Sequence, residues 1–456
     1  MLSAQTAIPH STVVVADRDA WTDGRGEPGA KDAARTNVKR VQSLYGALGA
    51  SGVAPRALLF AAGTAVTSYV YGWQSMVCTC AATGLSLCLY RSAKNRPIAR
   101  QCLAYLLFML TPFLTSINAI NTLTGLDPSG AHRYWFGITF ATTGLAVFVY
   151  KGKLSPTAAL LDIVQPLRLY SGPLALPGLS GHWVNASVQR ILYYGGWLNL
   201  GLYFFFGLAP AFIPFFHLKH SLNCIDILAF ATAYELYVYF NFAGISFIAF
   251  AILRIFGGAA ILNFNTPFVA RNVIEYWQRW HISLSKICKT LFFGPLRARV
   301  GLGGAVAVVF LASAMWHGAT LNFLLWGCFH AAGWMLTYFL IRCHAWGRTA
   351  AFVILPVVVI IGRLIFSELD HNLLLRKLYA VITMDVSGPL MLRELTFSKP
   401  ELFLIGLALA VIVGEVTRAR SFRRYRIYRT GWRSIVILIL TALLGAAGIG
   451  GVYGTR

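Results

Sequence analysis

The amino-acid sequence predicts an all-α protein that crosses a membrane several times. Of its 456 residues, 57% are hydrophobic and only 12% are charged, whereas a soluble domain carries about twice that share of charged residues. Apolar runs long enough to cross a bilayer recur along most of the chain, and only helices and closed barrels satisfy their backbone polar groups there. We expect a helical bundle of roughly 9–11 transmembrane helices with additional interfacial and re-entrant segments.

The charge distribution indicates a bilayer as the partner surface and no nucleic acid. The net charge of +23 comes from 39 Lys and Arg against 16 Asp and Glu, and the basic residues cluster between apolar runs, as in cytoplasmic loops. The most basic segment, residues 418–433, contains seven Arg and no acidic residue. We expect this segment and the loop at residues 91–100 to face the cytoplasm. None of the eight Cys form a CxxC pair, so no metal site is predicted.

Composition divides the chain into a short polar arm and a long apolar domain. Residues 1–55 are polar and mixed in charge, without the apolar stretch of a signal peptide. We expect a disordered or surface-lying cytoplasmic arm, followed by a transmembrane domain over residues 56–456. Residues 151–190 contain four Pro, which suits a re-entrant or surface segment covered by protein.

Two acidic residues, Asp226 and Glu235, lie in the apolar run at residues 226–256. Acidic residues at membrane depth are costly and often functional. The structural alternative places Asp226 at the membrane interface and pairs Glu235 with a basic residue.

A basic, Trp-rich segment follows, and we expect it to be one helix. Pro267 can open a helix, and no helix-breaking residue follows between residues 269 and 292. At about 100° per residue, the charged residues share one arc and Trp280 lies on the opposite, apolar side. Such a helix suits the membrane interface, and Glu275 and Arg279 form an i, i+4 pair in the favourable order.

Two histidines, 36 residues apart, are the candidate reactive groups. His281 falls away from the charged arc of the predicted helix, so it requires a polar partner, and a histidine bonded to the backbone is the alternative. His317 ends the apolar segment at residues 300–315, and Gly318 beside it allows close approach of another group. Asn322 and His330 follow at spacings that place all three near one stripe of a continuous helix. A packing role is the alternative for His317.

Four segments resemble the membrane-bound O-acyltransferase (MBOAT) family, in particular the bacterial branch of alginate O-acetylation and teichoic-acid D-alanylation membrane proteins. The segments are YFNFAGIS at residues 239–246, NFNTPF at 263–268, EYWQRWHISLS at 275–285 and WHGATLNF at 316–323, with Trp326, Gly327 and His330 after them. Their order and spacing mark about residues 230–335 as the expected catalytic core. Asn241 and Ile245 stand where the family pattern has Asp and Tyr.

The resemblance implies an MBOAT-like bundle that transfers acyl groups in the bacterial plasma (inner) membrane. It implies an acyl thioester as co-substrate, from acetyl-CoA or an acyl carrier protein, and no bound cofactor. The implied acceptor is a hydroxyl of an exported polysaccharide or of an acyl-relay protein. By the same resemblance His317 is the catalytic residue and His281 the second motif histidine. The implied substrate-binding or supporting residues are Trp316, Asn322, His330, Trp280, Asn241 and Glu275.

The residue types suit acyl transfer. A thioester is already activated, so the reaction needs a base for the hydroxyl proton and donors for the developing oxyanion. A neutral imidazole suits the first task at pH 7, and a Trp indole N–H, Asn322 or His281 suits the second. Acetyl is the expected acyl group.

Three alternatives stay open at this level. The first is D-alanyl transfer from a carrier protein to a cell-surface polymer, and the second is an inactive scaffold of a polysaccharide export complex. The third is a transporter with a proton relay, which predicts polar residues in several spans and a repeated half. Neither feature is visible in the sequence.

Overall fold

The computed structural model describes the larger part of the apolar domain. The described residues are 72–116, 131–156, 188–318, 320–343 and 346–417, with 60–65, 68, 159, 163, 168 and 174–177 between them. Every regular element in this part of the chain is helical, which confirms the predicted all-α class. The predicted polar arm and the basic segment at residues 418–433 lie outside the described residues.

The first three helices form one side of the described bundle. They are α1 (Trp73–Ala93), α2 (Pro97–Ser116) and α3 (Ala131–Lys151), and α3 packs against both α1 and α2. Phe108 of α2 and Leu145 of α3 are completely buried in their shared core. The same core includes Trp316, so these helices form a wall behind the second candidate histidine.

The next membrane segment changes helix type along its length. Helix α4 (Val188–Leu202) continues as a π-helix over Tyr203–Leu208 and then as a 3₁₀ helix over Pro210–His220. Proline has no backbone N–H and clashes with the preceding turn of an α-helix, so Pro210 ends the regular pattern and Pro214 prevents its return. From the sequence alone, these two prolines predict that the span breaks or ends here, and the structure confirms it.

Helix α5 (Cys224–Ile255) is the longest described helix and packs along α4. Asn223 caps its first turn, because its side chain accepts a hydrogen bond from the backbone N–H of Ile225 at 3.0 Å. Gly201 of α4 and Gly244 of α5 let the two backbones touch. A Cβ atom at Gly244 would lie 2.7 Å from the backbone nitrogen of Phe205 and 2.9 Å from the carbonyl oxygen of Gly201.

Replacement of Gly244 by alanine is expected to lower the free energy of unfolding by about 1–3 kcal/mol, because the new methyl group forces two backbones apart. Gly406 is the matched control, since a Cβ atom there meets nothing within 4 Å, and its replacement should be neutral or slightly stabilising. Denaturation of both variants in mixed micelles would measure the difference. Equal stability of Gly244→Ala and Gly406→Ala would show that the close backbone contact is not rigid.

The expected continuous helix over residues 269–292 is wrong. The chain forms a short 3₁₀ turn (Pro267–Val269), α6 (Val273–Arg279), α7 (Ile282–Cys288) and a π-helical stretch (Lys289–Phe293). The break lies at Trp280, which is extended, and His281, which is left-handed at φ 43°.

Tertiary hydrogen bonds explain the break between α6 and α7. The backbone N–H of Ile282 donates to the carbonyl of Asn263 at 2.9 Å, and that of Asn265 donates to the carbonyl of Arg279 at 2.9 Å. These bonds replace the helical ones that the local sequence would otherwise form.

The predicted division of the helix faces is confirmed despite the break. Lys286 and Lys289 are exposed, whereas Trp280 and Leu284 are buried. The predicted pair of Glu275 and Arg279 is also present, at 2.6 Å.

The remaining described helices complete the bundle around the central segment. They are α8 (Gly294–His317), α9 (Leu321–Cys343), α10 (Gly347–Ser367), α11 (His371–Ile382) and α12 (Lys399–Thr417). Helix α9 packs between α8 and α10, and α10 also contacts α5. Five segments of the described chain are long and apolar enough to cross a membrane: Val188–His220, Cys224–Ile255, Ile282–His317, Leu321–Arg342 and Gly347–Ser367. The total of roughly 9–11 helices stays a prediction.

In the Pro-rich segment at 151–190, the described residues between 159 and 175 are buried, in agreement with the predicted covering by protein, whereas described residues at both ends of the segment are exposed. Ala159, Ile163 and Arg168 are buried, and the Arg168 guanidinium donates to the carbonyl of Ala259. The backbone N–H of Leu174 donates to the hydroxyl of Ser283 at 3.2 Å. The segment therefore reaches the start of α7, next to the first candidate histidine.

Candidate active site

The candidate histidines meet at one cavity of about 350 Å³ inside the bundle. His281, His317 and His330 all contribute to its wall, together with Arg363. Most of the other lining residues are aromatic or aliphatic, and a mostly apolar cavity with a few converging polar groups is typical of ligand sites. The lining residues also include Glu235, Phe242, Tyr276, Trp277, Trp280, Trp326 and Phe366.

A hydrogen-bond network fixes the orientation of His281. The Nδ1 atom lies 3.3 Å from Oδ1 of Asn263, and the same oxygen accepts from the backbone N–H and the hydroxyl of Ser283 at 3.0 and 2.8 Å. Because that amide oxygen can only accept, Nδ1 of His281 must carry a hydrogen. The other nitrogen, Nε2, is buried and has no hydrogen-bond partner within the described part of the chain.

The backbone of His281 supports this orientation. Left-handed geometry is costly for a residue with a Cβ atom and occurs mainly where the surrounding structure imposes it, often at functional sites. Here the bond from Ile282 to Asn263 holds the turn in place. The ring packs edge-on against Phe242 at 4.8 Å and faces Trp316 at 5.7 Å.

His317 is the last residue of α8 and lies in an aromatic cage. Its ring centre is 4.9 Å from those of Trp316 and Phe366 and 5.7 Å from that of Trp326. The close approach predicted at Gly318 is made by another ring, because a Cβ atom there would lie 2.8 Å from Phe323. Gly318 therefore leaves room for the ring of Phe323.

Trp316 lies between the two candidate histidines, but its indole N–H is engaged elsewhere. It donates to the hydroxyl of Thr143 on α3 at 2.8 Å. The indole of Trp277 is different, since its Nε1 is buried in the cavity wall and has no hydrogen-bond partner among the described residues. Among these two tryptophans, Trp277 is therefore the one with an available donor.

His330 forms part of the opposite cavity wall. Its ring lies 4.9 Å from Trp277 and 4.8 Å from Trp326. Helix α10 packs tightly on it, since a Cβ atom at Gly362 would overlap the imidazole. This close fit agrees with a supporting role.

Asn322, predicted as a supporting residue or oxyanion donor, does not line the cavity. Its side-chain amide donates to the carbonyl of Phe366 at 3.2 Å and accepts from the hydroxyl of Thr320. The predicted shared stripe is wrong because the helix is not continuous: His317 ends α8, whereas Asn322 and His330 lie on α9. The two histidines reach the same cavity from different helices. Asn322 instead fixes the end of α10, where Phe366 packs on His317.

The other predicted supporting residues have different positions. Asn241 is half-buried on α5 and does not line the cavity. Glu275 lies at the outer face, bonded to Arg279 and to the backbone N–H of Arg271. Trp280 does line the cavity, stacked on Tyr276 at 5.5 Å.

The sequence analysis missed a buried polar cluster in the cavity wall. Arg363 of α10 pairs with Glu235 of α5 at 2.6 Å, and the hydroxyl of Tyr276 donates to the other carboxylate oxygen at 2.7 Å. Burial and the Glu235 carboxylate raise the pKa of Tyr276 well above its usual range, so the phenol keeps its proton. The sequence signal for this cluster was an Arg within the apolar run of α10.

The two acidic residues of the apolar run both have partners. Glu235 is paired, as the structural alternative predicted. Asp226 accepts hydrogen bonds from the hydroxyl of Ser221 and from the backbone N–H groups of Met391 and Leu392 at 2.8–3.0 Å. Asp226 therefore ties the start of α5 to a distant loop.

The comparison with known proteins matches a family model to the part of the chain that forms most of the cavity wall. Residues 218–364 match the model of the membrane-bound O-acyltransferase family, a range that includes His281, His317, His330 and Arg363. The chain is 25% identical over 280 residues to the probable alginate O-acetylase of Azotobacter vinelandii, covering 55% of this chain and 54% of that protein.

Two further relatives match over shorter ranges. The peptidoglycan O-acetyltransferase of Helicobacter pylori is 33% identical over 114 residues, which are 24% of this chain and 22% of that protein. The teichoic acid D-alanyltransferase of Bacillus subtilis is 28% identical over 160 residues, which are 31% of this chain and 40% of that protein. The chain thus spans about half of the length of the first of these relatives and less of the other two. With the all-α fold and the family match across both histidines, the chain carries a domain of the membrane-bound O-acyltransferase family.

Proposed function

We propose that this chain is a membrane O-acyltransferase that uses the cavity between α6, α8 and α10. It moves an acyl group from a thioester, either acetyl-CoA or an acyl carrier protein, to a hydroxyl of an exported polysaccharide or an acyl-relay protein. The observation that carries this proposal is the convergence of His281 and His317 on one mostly apolar cavity, within a range that matches the family model.

In this mechanism His317 is the general base. It takes the proton from the acceptor hydroxyl while that oxygen attacks the thioester carbonyl carbon. The carbonyl oxygen then carries a negative charge, and when the intermediate collapses, the C–S bond breaks and the proton passes from the imidazolium to the thiolate. The aromatic cage limits water around His317 and so favours the neutral imidazole that the first step requires.

His281 has an orienting role in this proposal. Its Nδ1 is committed to Asn263, so its unpartnered Nε2 can only accept a hydrogen bond. Because the reacting hydroxyl gives its single proton to His317, Nε2 of His281 accepts from a neighbouring donor group of the acceptor and so orients the acceptor. Trp277 offers an N–H donor in the same cavity wall.

Acetyl is the proposed acyl group, and D-alanyl is the second candidate. Two of the relatives described above are named as O-acetylating proteins, whereas the Bacillus subtilis relative is named a D-alanyltransferase. The basic loops suit an acidic carrier protein and the phosphates of coenzyme A equally well, so charge does not discriminate between the two donors.

Purified full-length protein in nanodiscs tests the proposal and the donor together. Acetyl-CoA or a D-alanyl carrier protein is supplied as donor, with alginate oligosaccharides or peptidoglycan fragments as acceptor probes. We expect release of the donor thiol and labelling of an acceptor with acetyl-CoA. Faster release with the D-alanyl donor would reverse the order of the two candidates, and no release above a His317→Ala preparation with either donor would contradict the proposal.

Replacement of His281 by alanine is expected to lower turnover by about 10–10²-fold and to leave measurable activity, as for residues that orient a reacting group. Asn263→Ala should have an effect in the same range, because it removes the acceptor that fixes the imidazole. The double variant should be little worse than either single one, since both changes remove the same orientation. Asn265→Ala is the matched control, because the described contacts of Asn265 use its backbone. If the losses of turnover in the two single variants were fully additive in the double variant, Asn263 would act independently of His281.

A further inference from the structure

We infer that Arg363 is a further catalytic residue, whose guanidinium donates hydrogen bonds to the carbonyl oxygen of the bound acyl thioester. This inference rests on the proposed acyl transfer and assigns the group that stabilises the oxyanion. It is carried by the position of Arg363 in the cavity wall and by hydrogen-bond donors that the protein leaves unused.

The positive charge of Arg363 is buried. Arg363 exposes only 9% of its surface, and its guanidinium carbon lies 5.6 Å from the ring centre of Trp280 and 5.2 Å from that of Phe366. A charge removed from water is expensive unless it is paired, and Glu235 supplies the partner carboxylate. The pair has no net charge, which lowers the cost of keeping a cation at this depth.

Arg363 has N–H donors beyond the one that bonds to Glu235. A guanidinium carries five N–H donors, and the hydrogen bond to Glu235 uses only Nε. Tyr276 occupies the other oxygen of that carboxylate. The hydroxyl of Tyr276 also accepts a hydrogen bond from Arg363. Within the described residues, no further acceptor is found for the other terminal N–H donors, although the residue lines the cavity. An acceptor atom of a bound molecule would satisfy them.

Phe366 connects Arg363 with the proposed base, His317. Phe366 follows Arg363 by about one turn of α10, and its ring lies 5.2 Å from the Arg363 guanidinium carbon and 4.9 Å from the His317 ring centre. The base and the guanidinium are thus held by one aromatic side chain at the same cavity. Asn322 bonds to the carbonyl of Phe366 and stabilises this arrangement.

The chemistry needs a donor in this place. When the acceptor oxygen attacks the thioester carbon, the carbonyl π electrons move to the carbonyl oxygen, and His317 takes the hydroxyl proton. Arg363 keeps all of its own protons and stabilises that oxygen until the C–S bond breaks. Preorganised donors of this kind are more effective in a water-poor site, and Glu235 and Tyr276 hold the guanidinium in orientation before substrate arrives.

A structural role of the ion pair alone makes a different prediction. Buried ion pairs are often replaceable by uncharged groups at little cost in stability, whereas removal of one partner is strongly destabilising. If the pair only supports the fold, the double variant Arg363→Gln/Glu235→Gln should fold and turn over normally. If Arg363 is an oxyanion donor, the double variant should fold and still be slow.

The experiment compares Arg363→Gln/Glu235→Gln and Arg363→Lys with the wild type in nanodiscs, using acetyl-CoA as donor and thiol release as readout. We expect the double variant to keep wild-type thermal stability and to lose about 10²–10³-fold in kcat with little change in KM for the donor. Arg363→Lys should lie between the two, because it keeps the charge and loses the planar fork.

Three results would overturn the inference. Wild-type kcat in the folded double variant would leave Arg363 a purely structural role, and a rise in KM alone would make it a binding group without a part in the transition state. A double variant that does not fold moves the decision to Arg363→Lys, where unchanged kcat would show that the planar guanidinium is not required and would contradict the inferred donation by its terminal nitrogens. If His317→Ala loses turnover and the Arg363 variants do not, only this inference fails. If the wild type transfers no acyl group, the proposed function fails with it.

Discussion

Replacement of His317 by alanine is expected to lower acyl-transfer turnover by about 10²–10⁴-fold, the usual contribution of a general base. The side chain is the proposed proton acceptor and lies in a cage of Trp316, Trp326 and Phe366. The described contacts of the His317 ring with the cage are aromatic, so its loss should leave a cavity and modest destabilisation but no unpaired charge.

The measurement is turnover of the purified variant in nanodiscs, with thermal stability determined in parallel. His217 provides the matched control, because it is an exposed histidine outside the cavity, and its replacement should leave turnover unchanged. His330→Ala should cost less than His317→Ala, since His330 is packed under Gly362 as part of the wall. Near wild-type turnover in a well-folded His317→Ala protein would remove the mechanism and favour the inactive scaffold.

The helical architecture was predictable because the bilayer leaves the backbone few choices. Apolar runs of sufficient length must satisfy their own N–H and C=O groups, so composition and length alone predict an all-α bundle. Proline chemistry likewise located the break at Pro210, where the loss of one backbone donor is a local effect. The division of α6 and α7 into exposed and buried faces followed from helical periodicity in the same way.

The break at His281 was not predictable from local sequence. None of Trp280, His281 and Ile282 is a helix breaker. The left-handed turn exists because Asn263, which lies at least 18 residues earlier in the chain, supplies hydrogen bonds. Local propensity cannot reveal a tertiary partner of this kind. The same limit applies to Asn263, which begins the motif at residues 263–268 and fixes the candidate imidazole, a role that the motif itself does not reveal.

The membership of the cavity was only partly predictable for a related reason. His281, His317, His330 and Trp280 all line it, but Asn322 uses its amide on the end of α10. Sequence spacing places residues on a face of a helix and does not show which hydrogen bonds the neighbouring helices already supply. Arg363 was visible as a cation in an apolar run, but its partner Glu235 is 128 residues away.

Replacement of Lys377 by alanine is expected to lower the free energy of unfolding by about 3–5 kcal/mol, the cost of breaking a buried ion pair. Lys377 of α11 exposes only 1% of its surface. Its Nζ atom lies 2.6 Å from Oε2 of Glu368 and also donates to the carbonyl of Lys219. Without the ammonium group, Glu368 would keep a buried carboxylate with no counter-charge.

The consequence of this loss should reach the cavity through α10. Ala380 of α11 packs with Leu364 of α10 and with Ile227 and Ala231 of α5 in one small core. Leu364 is the neighbour of Arg363, so loosening α11 removes support from the segment that carries Arg363 and Phe366. Turnover of Lys377→Ala should therefore fall more steeply with temperature than that of the wild type, while activity at low temperature is retained.

The double variant Lys377→Met/Glu368→Gln separates the charge from the packing. Methionine fills much of the space of the lysine stem, and glutamine keeps the shape of the carboxylate without its charge, so most of the stability should return. Denaturation in mixed micelles measures both variants against the wild type, with Lys399→Ala at the start of α12 as a control for loss of a lysine elsewhere. If Lys377→Ala and the double variant were equally destabilised, the cost would come from the lost bond to the carbonyl of Lys219, which neither variant can form. If neither were destabilised, α11 would not brace the catalytic helices at all.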